Sequence, residues 1–222
     1  MNKNALRIII TGATGMVGEG VLHECLNHPD VAAVLVINRK SIGLSHPKLR
    51  EVIHPDLYDL SAIEQHLSGY DACYFCLGIS SVGISKEEYY KITHTLTMHV
   101  GETLCRLNKD MVFCYVSGAG TDSTEQGRSN WARVKGKTEN DLMKLPFRKA
   151  YAFRPGFIKP TPGLTRTHSF YKYINWLFPI GRAIAPGGFC TMRELGLAMI
   201  HITQRGYERD VIEGKDIIQL AQ

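Results

Sequence analysis

Short apolar runs alternate along the chain with longer stretches in which apolar residues return every three or four positions. The first run, 6–11, reads Leu6-Arg7-Ile8-Ile9-Ile10-Thr11. A helical pattern follows at 15–27, with Val17, Val21, Leu22 and Cys25 on one face. Residues 33–38 are almost continuously apolar, as expected of a strand covered on both faces. The same reading predicts strands at 52–54, 72–77, 111–117 and 150–154, and helices at 60–67, 86–107 and 129–144. Such alternation implies a parallel sheet with crossover helices, a doubly wound α/β fold. After residue 156 the pattern changes. Pro160, Pro162, Pro179, Pro186, Gly187 and Gly188 break it up. The expectation for 157–190 is an irregular substrate-side lobe with a short helix near 170–177. A helix at 192–204 opens after Thr191, which serves as its N-cap, and 211–220 adds a short strand. With no repeats or linkers visible, residues 1–222 are expected to form one domain.

The junction between the first strand and the first helix carries the sharpest chemical signal. It reads Thr11-Gly12-Ala13-Thr14-Gly15-Met16-Val17-Gly18. Glycine three residues apart, twice over, suits a Rossmann dinucleotide loop. One glycine permits the tight turn, one lets the backbone approach a pyrophosphate, and one lets helix and strand pack closely. Amides at the helix start, aided by the helix dipole, then hold the anion. Gly12, Thr14, Gly15, Met16 and Gly18 are therefore candidate cofactor contacts.

The second strand ends Val36-Ile37-Asn38-Arg39-Lys40, with no acid to accept from a ribose 2′-hydroxyl. Arg39 would pair with a 2′-phosphate and stack on adenine, which points to NADP(H), with Lys40 beside it. The other reading of this pair is a solvated basic turn. Leu77-Gly78 ends the fourth strand where the sheet runs toward the cofactor.

TGATGMVG resembles the TGxxGxxG loop of the short-chain dehydrogenase/reductase superfamily. The resemblance continues through CLG (76–78), YVSGAG (115–120), WARVKGKTEN (131–140) and FRPG (153–156), and is nearest to the atypical, NmrA-like and Tat-interacting-protein-like members. It implies that Asp56 meets the adenine edge with Leu57 beside the ring, and that Pro155-Gly156-Phe157 lies against the nicotinamide. It also implies a Tyr-x-x-x-Lys pair, whose spacing puts both side chains on one helical face. The lysine holds the nicotinamide ribose and lowers the tyrosine pKa, and the tyrosine moves the proton. Here Lys135 fills the lysine slot and Trp131 stands where tyrosine is expected. An indole N–H donates a hydrogen bond but shuttles no proton near neutral pH. None of the ten tyrosines has lysine four residues on. Tyr89, Tyr90, Tyr171 and Tyr173 are the candidates for reaching the site from elsewhere. Ser117 is the candidate for the carbonyl-polarising hydroxyl, in a register that leaves Gly118 and Ala119 as alternatives; the other reading of Ser117 is a strand-end cap. Members of the superfamily often pair through the two long helices that follow strands four and five, so a homodimer is an expectation.

Composition changes little. The chain has 222 residues, 44% hydrophobic and 21% charged, with a formal net charge of +5. That excess suits a phosphate-bearing cofactor but shows no basic run of the kind that binds nucleic acid. No apolar run approaches the ~20 residues of a membrane span. Six scattered cysteines read as buried thiols in a reducing compartment, and the histidines show no metal spacing. A cytoplasmic protein is the expectation. Two functions fit the motifs. The first is an NADP-dependent oxidoreductase or epimerase acting on a small carbonyl or hydroxyl compound. The second is a regulatory module that binds NADP(H) without turnover.

Overall fold

The computed structural model describes residues 5–166 and 178–222. The first strand, β1 (Leu6–Thr11), feeds α1 (Met16–Asn27) and then β2 (Val31–Asn38) and β3 (Leu49–Ile53). A 3-10 turn (Ser61–His66) leads to β4 (Ala72–Phe75), then α2 (Lys86–Tyr90), a π turn (Lys91–Thr95) and α3 (Leu96–Leu107). The chain continues through β5 (Val112–Val116), α4 (Asn130–Leu142), β6 (Lys149–Arg154) and β7 (Phe157–Lys159). Beyond residue 177 come α5 (Phe178–Ile184), β8 (Phe189–Thr191), α6 (Met192–Arg205), β9 (Val211–Glu213) and α7 (Gly214–Leu220).

The main sheet is parallel, in the order β3-β2-β1-β4-β5-β6-β9. Side chains alternate across it, so one strand feeds two cores. Ile8, Ile10, Val34 and Val36 pack under α1 and α6, whereas Ile9, Leu35 and Ile37 join Val100 and Leu104 of α3 on the other face. This is the doubly wound arrangement that the apolar runs predict. The strand order reverses between β1 and β4, and the loop ends there form a crevice outside the carboxyl ends of the strands.

Four expectations need correction. Residues 60–67 make a 3-10 turn instead of an α-helix. The helix over 86–107 is interrupted by the π turn. The 211–220 segment is strand only to Glu213 and then turns helical, with a capping box between Glu213 and Asp216. The supposedly irregular lobe contains a small two-stranded parallel sheet, Phe157–Lys159 against Phe189–Thr191. The short helix near 170–177, and with it Phe170, Tyr171, Tyr173 and Trp176, lies outside the described residues. Thr191 does cap α6, accepting from the Glu194 amide at 3.1 Å, and Arg182 clamps the same Glu194 with two 2.6 Å contacts.

Candidate functional site: a cleft at the β1/β4 reversal

The glycines of the first loop differ in what they are for. Gly12 sits at φ +75°, and a Cβ there would lie 2.6 Å from the Leu77 amide nitrogen. A Cβ on Gly18 would lie 2.2 Å from the Gly12 carbonyl oxygen, so this position is fixed by packing. Gly15 is different. A Cβ on it meets only the Gly12 oxygen at 3.5 Å, and one on Gly78 meets nothing within 4 Å. The space over Gly15 and Gly78 is open on the side a ligand would approach. Gly15 caps α1 with no side-chain hydrogen bond, leaving the first amides of the helix without intrahelical acceptors.

This loop forms one wall of a cavity of about 390 Å³ at the β1/β4 reversal. Gly12, Thr14 and Gly15 line it from the first loop, Arg39 from the end of β2, Asp56 and Leu57 after β3, and Leu77 and Gly78 after β4. Ile37, Ile92 and Leu96 supply apolar surface, Ile92 from the π turn. The Tyr58 hydroxyl donates to the Lys91 carbonyl at 3.0 Å and so ties that turn to the β3 loop. Asp56 accepts from the Tyr58 amide at 2.8 Å, which orders its own turn. Arg39 is exposed at the mouth and makes no ion pair or hydrogen bond among the described residues. Anion-holding amides, an apolar slot and a free guanidinium together fit a dinucleotide.

Not all expected residues gather there. Met16 and Gly18 lie in α1 behind the loop, and Lys40 points into solvent beside Arg39. Ser117 and Pro155-Gly156-Phe157 lie farther along the sheet, following β5 and β6, and Lys135 reaches the end of β5 from α4. The Pro155 carbonyl accepts from the Ala119 amide at 2.9 Å, joining those two ends. A Cβ on Gly156 would lie 2.4 Å from the Gly188 oxygen, so the small lobe packs on it.

Around α4 the side chains make contacts within the protein. The Trp131 indole packs over Gly120, where an added Cβ would come within 3.4 Å of the ring. Ser117 is only 5% exposed, and its hydroxyl donates to the buried Glu139 carboxylate at 2.5 Å and lies 3.1 Å from the Phe153 carbonyl oxygen. Ser117 is thus turned into the protein. Lys135 donates to the Ser117 carbonyl, and burial pushes its pKa down, partly offset by Glu139. Two of the tyrosine candidates lie among the described residues. Tyr89 is buried with its pKa pushed up by burial, and Tyr90 stacks on His94 at 4.7 Å.

Four acidic and basic residues, Glu139, Arg154, Glu213 and Glu19, were given no role from the sequence. Glu139 pairs with Arg154 at 2.5 Å, both buried, and Arg154 reaches on to Glu213 at 3.4 Å. This cluster fixes the ends of β5, β6 and β9 against α4. Glu19 accepts from the Thr165 amide and hydroxyl and from the Arg166 amide at 2.7–3.0 Å, fastening the segment before residue 167 to α1. Their signals were faint: an acid on the buried face of α4 one turn after Lys135, and one in the first turn of α1.

The fold and the cleft define a nicotinamide-dinucleotide-binding Rossmann protein of the short-chain dehydrogenase/reductase type. Residues 8–141 match the NAD dependent epimerase/dehydratase family, more than half of the chain, and the protein belongs to that family. Among curated relatives, "Protein fmp52-1, mitochondrial" of Aspergillus oryzae is 29% identical over 156 residues, 67% of this chain. The aligned part spans 64% of that relative's own length. Among solved structures, WbmG of Bordetella bronchiseptica in complex with NAD gives a TM-score of 0.68 at 14% identity, over 98% of this chain and 77% of that one. The UDP-N-acetylglucosamine 4-epimerase of Methanobrevibacter ruminantium gives 0.68 at 17%, over 94% and 76%. At such identities the likeness is one of fold. Epimerases and dehydrogenases dominate these neighbours, so the narrower likeness to NmrA-like members has only loose support. The cytoplasmic expectation is overturned, because the curated relatives are named mitochondrial. No described helix is long and apolar enough to cross a membrane, and no metal-binding cluster occurs among the described residues.

Proposed function

We propose that this protein binds NADP(H) in the β1/β4 cleft and lacks the proton-transfer chemistry usual for its superfamily. The observation that carries the cofactor choice is Arg39, an unpaired guanidinium at the cavity mouth with no acid at the end of β2. In this reading the amides at the start of α1 hold the diphosphate, Asp56 and Leu57 receive the adenine, and Arg39 with Lys40 takes the 2′-phosphate. The dinucleotide, when bound, supplies hydride chemistry at its nicotinamide.

The proton is the difficulty. Trp131 cannot shuttle one, and the Ser117 hydroxyl is committed to Glu139. That favours a module that senses the cofactor or its redox state. The second reading is an oxidoreductase or epimerase on a small carbonyl or hydroxyl compound. It is favoured by Lys135, which remains on the right face of α4, and by the enzymes among the structural neighbours. Following NADPH oxidation at 340 nm over a broad carbonyl panel separates the two. The first reading expects NADPH to bind with no turnover above the uncatalysed rate. Turnover with a defined substrate overturns it in favour of the second.

A further inference from the structure

The loop that carries Arg39 and Lys40 is fastened at both ends to one carboxylate. Glu51, in the middle of β3, accepts from the Asn38 amide nitrogen at 3.2 Å, from the Ser41 hydroxyl at 2.6 Å and from the Ile42 main-chain amide at 2.9 Å. Asn38 precedes the two cations and lines the cavity; Ser41 and Ile42 follow them. Arg39 and Lys40 therefore project from a short span whose ends cannot separate while Glu51 is ionised. Burial pushes the Glu51 pKa up, but the hydrogen bonds from Ser41, Ile42 and Asn38 outweigh it and hold the carboxyl below its ordinary value.

We infer that Glu51 is a specificity-determining positioning residue, which sets the Arg39-Lys40 span so that the cleft takes a 2′-phosphorylated dinucleotide. The inference rests on the NADP(H) reading above. Its logic is one of occupied acceptors. A free carboxylate here would repel a phosphate or accept from a ribose 2′-hydroxyl, and so favour NAD(H). Glu51 instead accepts three hydrogen bonds that hold its carboxylate against the loop, and the two side chains the span carries are cationic. The Ser41 hydroxyl is likewise occupied, donating to Glu51 while accepting from the Gly43 amide at 3.1 Å. It serves as a strut.

The test is a titration of nicotinamide fluorescence with NADPH and with NADH. The proteins are the wild type, Glu51→Gln, Ser41→Ala, Arg39→Ala and the Arg39→Ala/Glu51→Gln double variant. Glu51→Gln turns an amide N–H toward donors, and Ser41→Ala removes one strut without touching the acid. Each is expected to weaken NADPH about tenfold, the worth of one or two hydrogen bonds, and to move NADH less than about twofold. In the Arg39→Ala background the Glu51 change is expected to add nothing. A merely structural role would weaken both nucleotides together. If the wild type prefers NADPH while both strut variants keep that preference, the inference fails and the cofactor reading stands. If Glu51→Gln weakens NADH more than NADPH, Glu51 is instead a ribose acceptor. Equal affinity of the wild type for the two nucleotides sinks the cofactor reading and this role with it.

Discussion

The Lys135 ammonium donates to the main-chain carbonyl of Ser117, while the Ser117 hydroxyl points away from it into the buried Glu139 carboxylate. Two groups expected to face a substrate are thus oriented by protein contacts, and α4 is locked to the end of β5 through them. In the proposed reading, α4 keeps Lys135 in the superfamily's lysine slot and carries Trp131 in place of the proton-moving tyrosine.

That replacement is testable by restoring it. Trp131→Tyr places a phenol four residues before Lys135 on the same face of α4, and Ala119→Ser adds an exposed hydroxyl next to the buried Ser117. The double variant is expected to oxidise NADPH against the carbonyl panel at least a hundredfold faster than wild type, the usual scale of general acid catalysis, roughly 10²–10⁴. An unchanged rate in the presence of bound NADPH would count against α4 as the catalytic helix.

The Glu139–Arg154 pair predicts a stability effect independent of any ligand. Both side chains are buried, and removing one partner strands the other's charge. Glu139→Ala is expected to cost about 3–5 kcal/mol, read as a large drop in denaturant midpoint. A loss under about 1 kcal/mol would mean the carboxylate does not hold β5, β6 and α4 together as described.

Asp141 gives a pH dependence. Burial raises its pKa, but hydrogen bonds from Lys144, Lys137 and His94 at 2.8–2.9 Å outweigh this and hold it well below the ordinary carboxylate range. A carboxyl with a depressed folded pKa adds stability above its unfolded pKa, about 3.9, and loses it as pH falls through the folded value. Asp141→Asn is therefore expected to lower stability by roughly 1 kcal/mol at pH 7, and by progressively less below about pH 4. Melting curves of both proteins from pH 3 to 7 check it; a constant gap across that range would refute it.

Gly18→Ala tests the loop geometry. The new methyl would meet the Gly12 carbonyl at 2.2 Å, a main-chain atom with no flexible end to yield. The expected cost is about 1–3 kcal/mol in stability, together with at least tenfold weaker dinucleotide binding. Gly15→Ala has room in the protein and is expected to fold normally while still weakening the ligand. Equal affinities for Gly15→Ala and wild type would show that nothing approaches that glycine.

The sheet was legible because apolar runs covered on both faces need no partner knowledge to be recognised. The lining of the β1/β4 cavity was legible too. Arg39, Asp56, Leu57, Leu77 and Gly78 all sit just past strand ends, and parallel topology brings such ends to one side. What escaped depends on distant pairings. Glu139 is 22 residues from Ser117, and Glu19 is 146 from Thr165. Of the two readings of Ser117, its inward-turned hydroxyl is nearer to the strand-end cap, because a strand end says where a residue is and not which way its hydroxyl turns. The π turn had no sequence mark, since it leaves the apolar periodicity of the long helix nearly unchanged.

In the proposed reading, the amides opening α1 and the cation after β2 together select a 2′-phosphorylated dinucleotide. Dissociation constants for NADPH and NADH, measured on wild type and Arg39→Ala under the same salt, test it most directly. Expected are tighter NADPH binding by wild type, a loss of about tenfold to a hundredfold for NADPH in Arg39→Ala, and little change for NADH. No binding of either nucleotide by wild type, or an NADPH affinity that Arg39→Ala leaves intact, would contradict it.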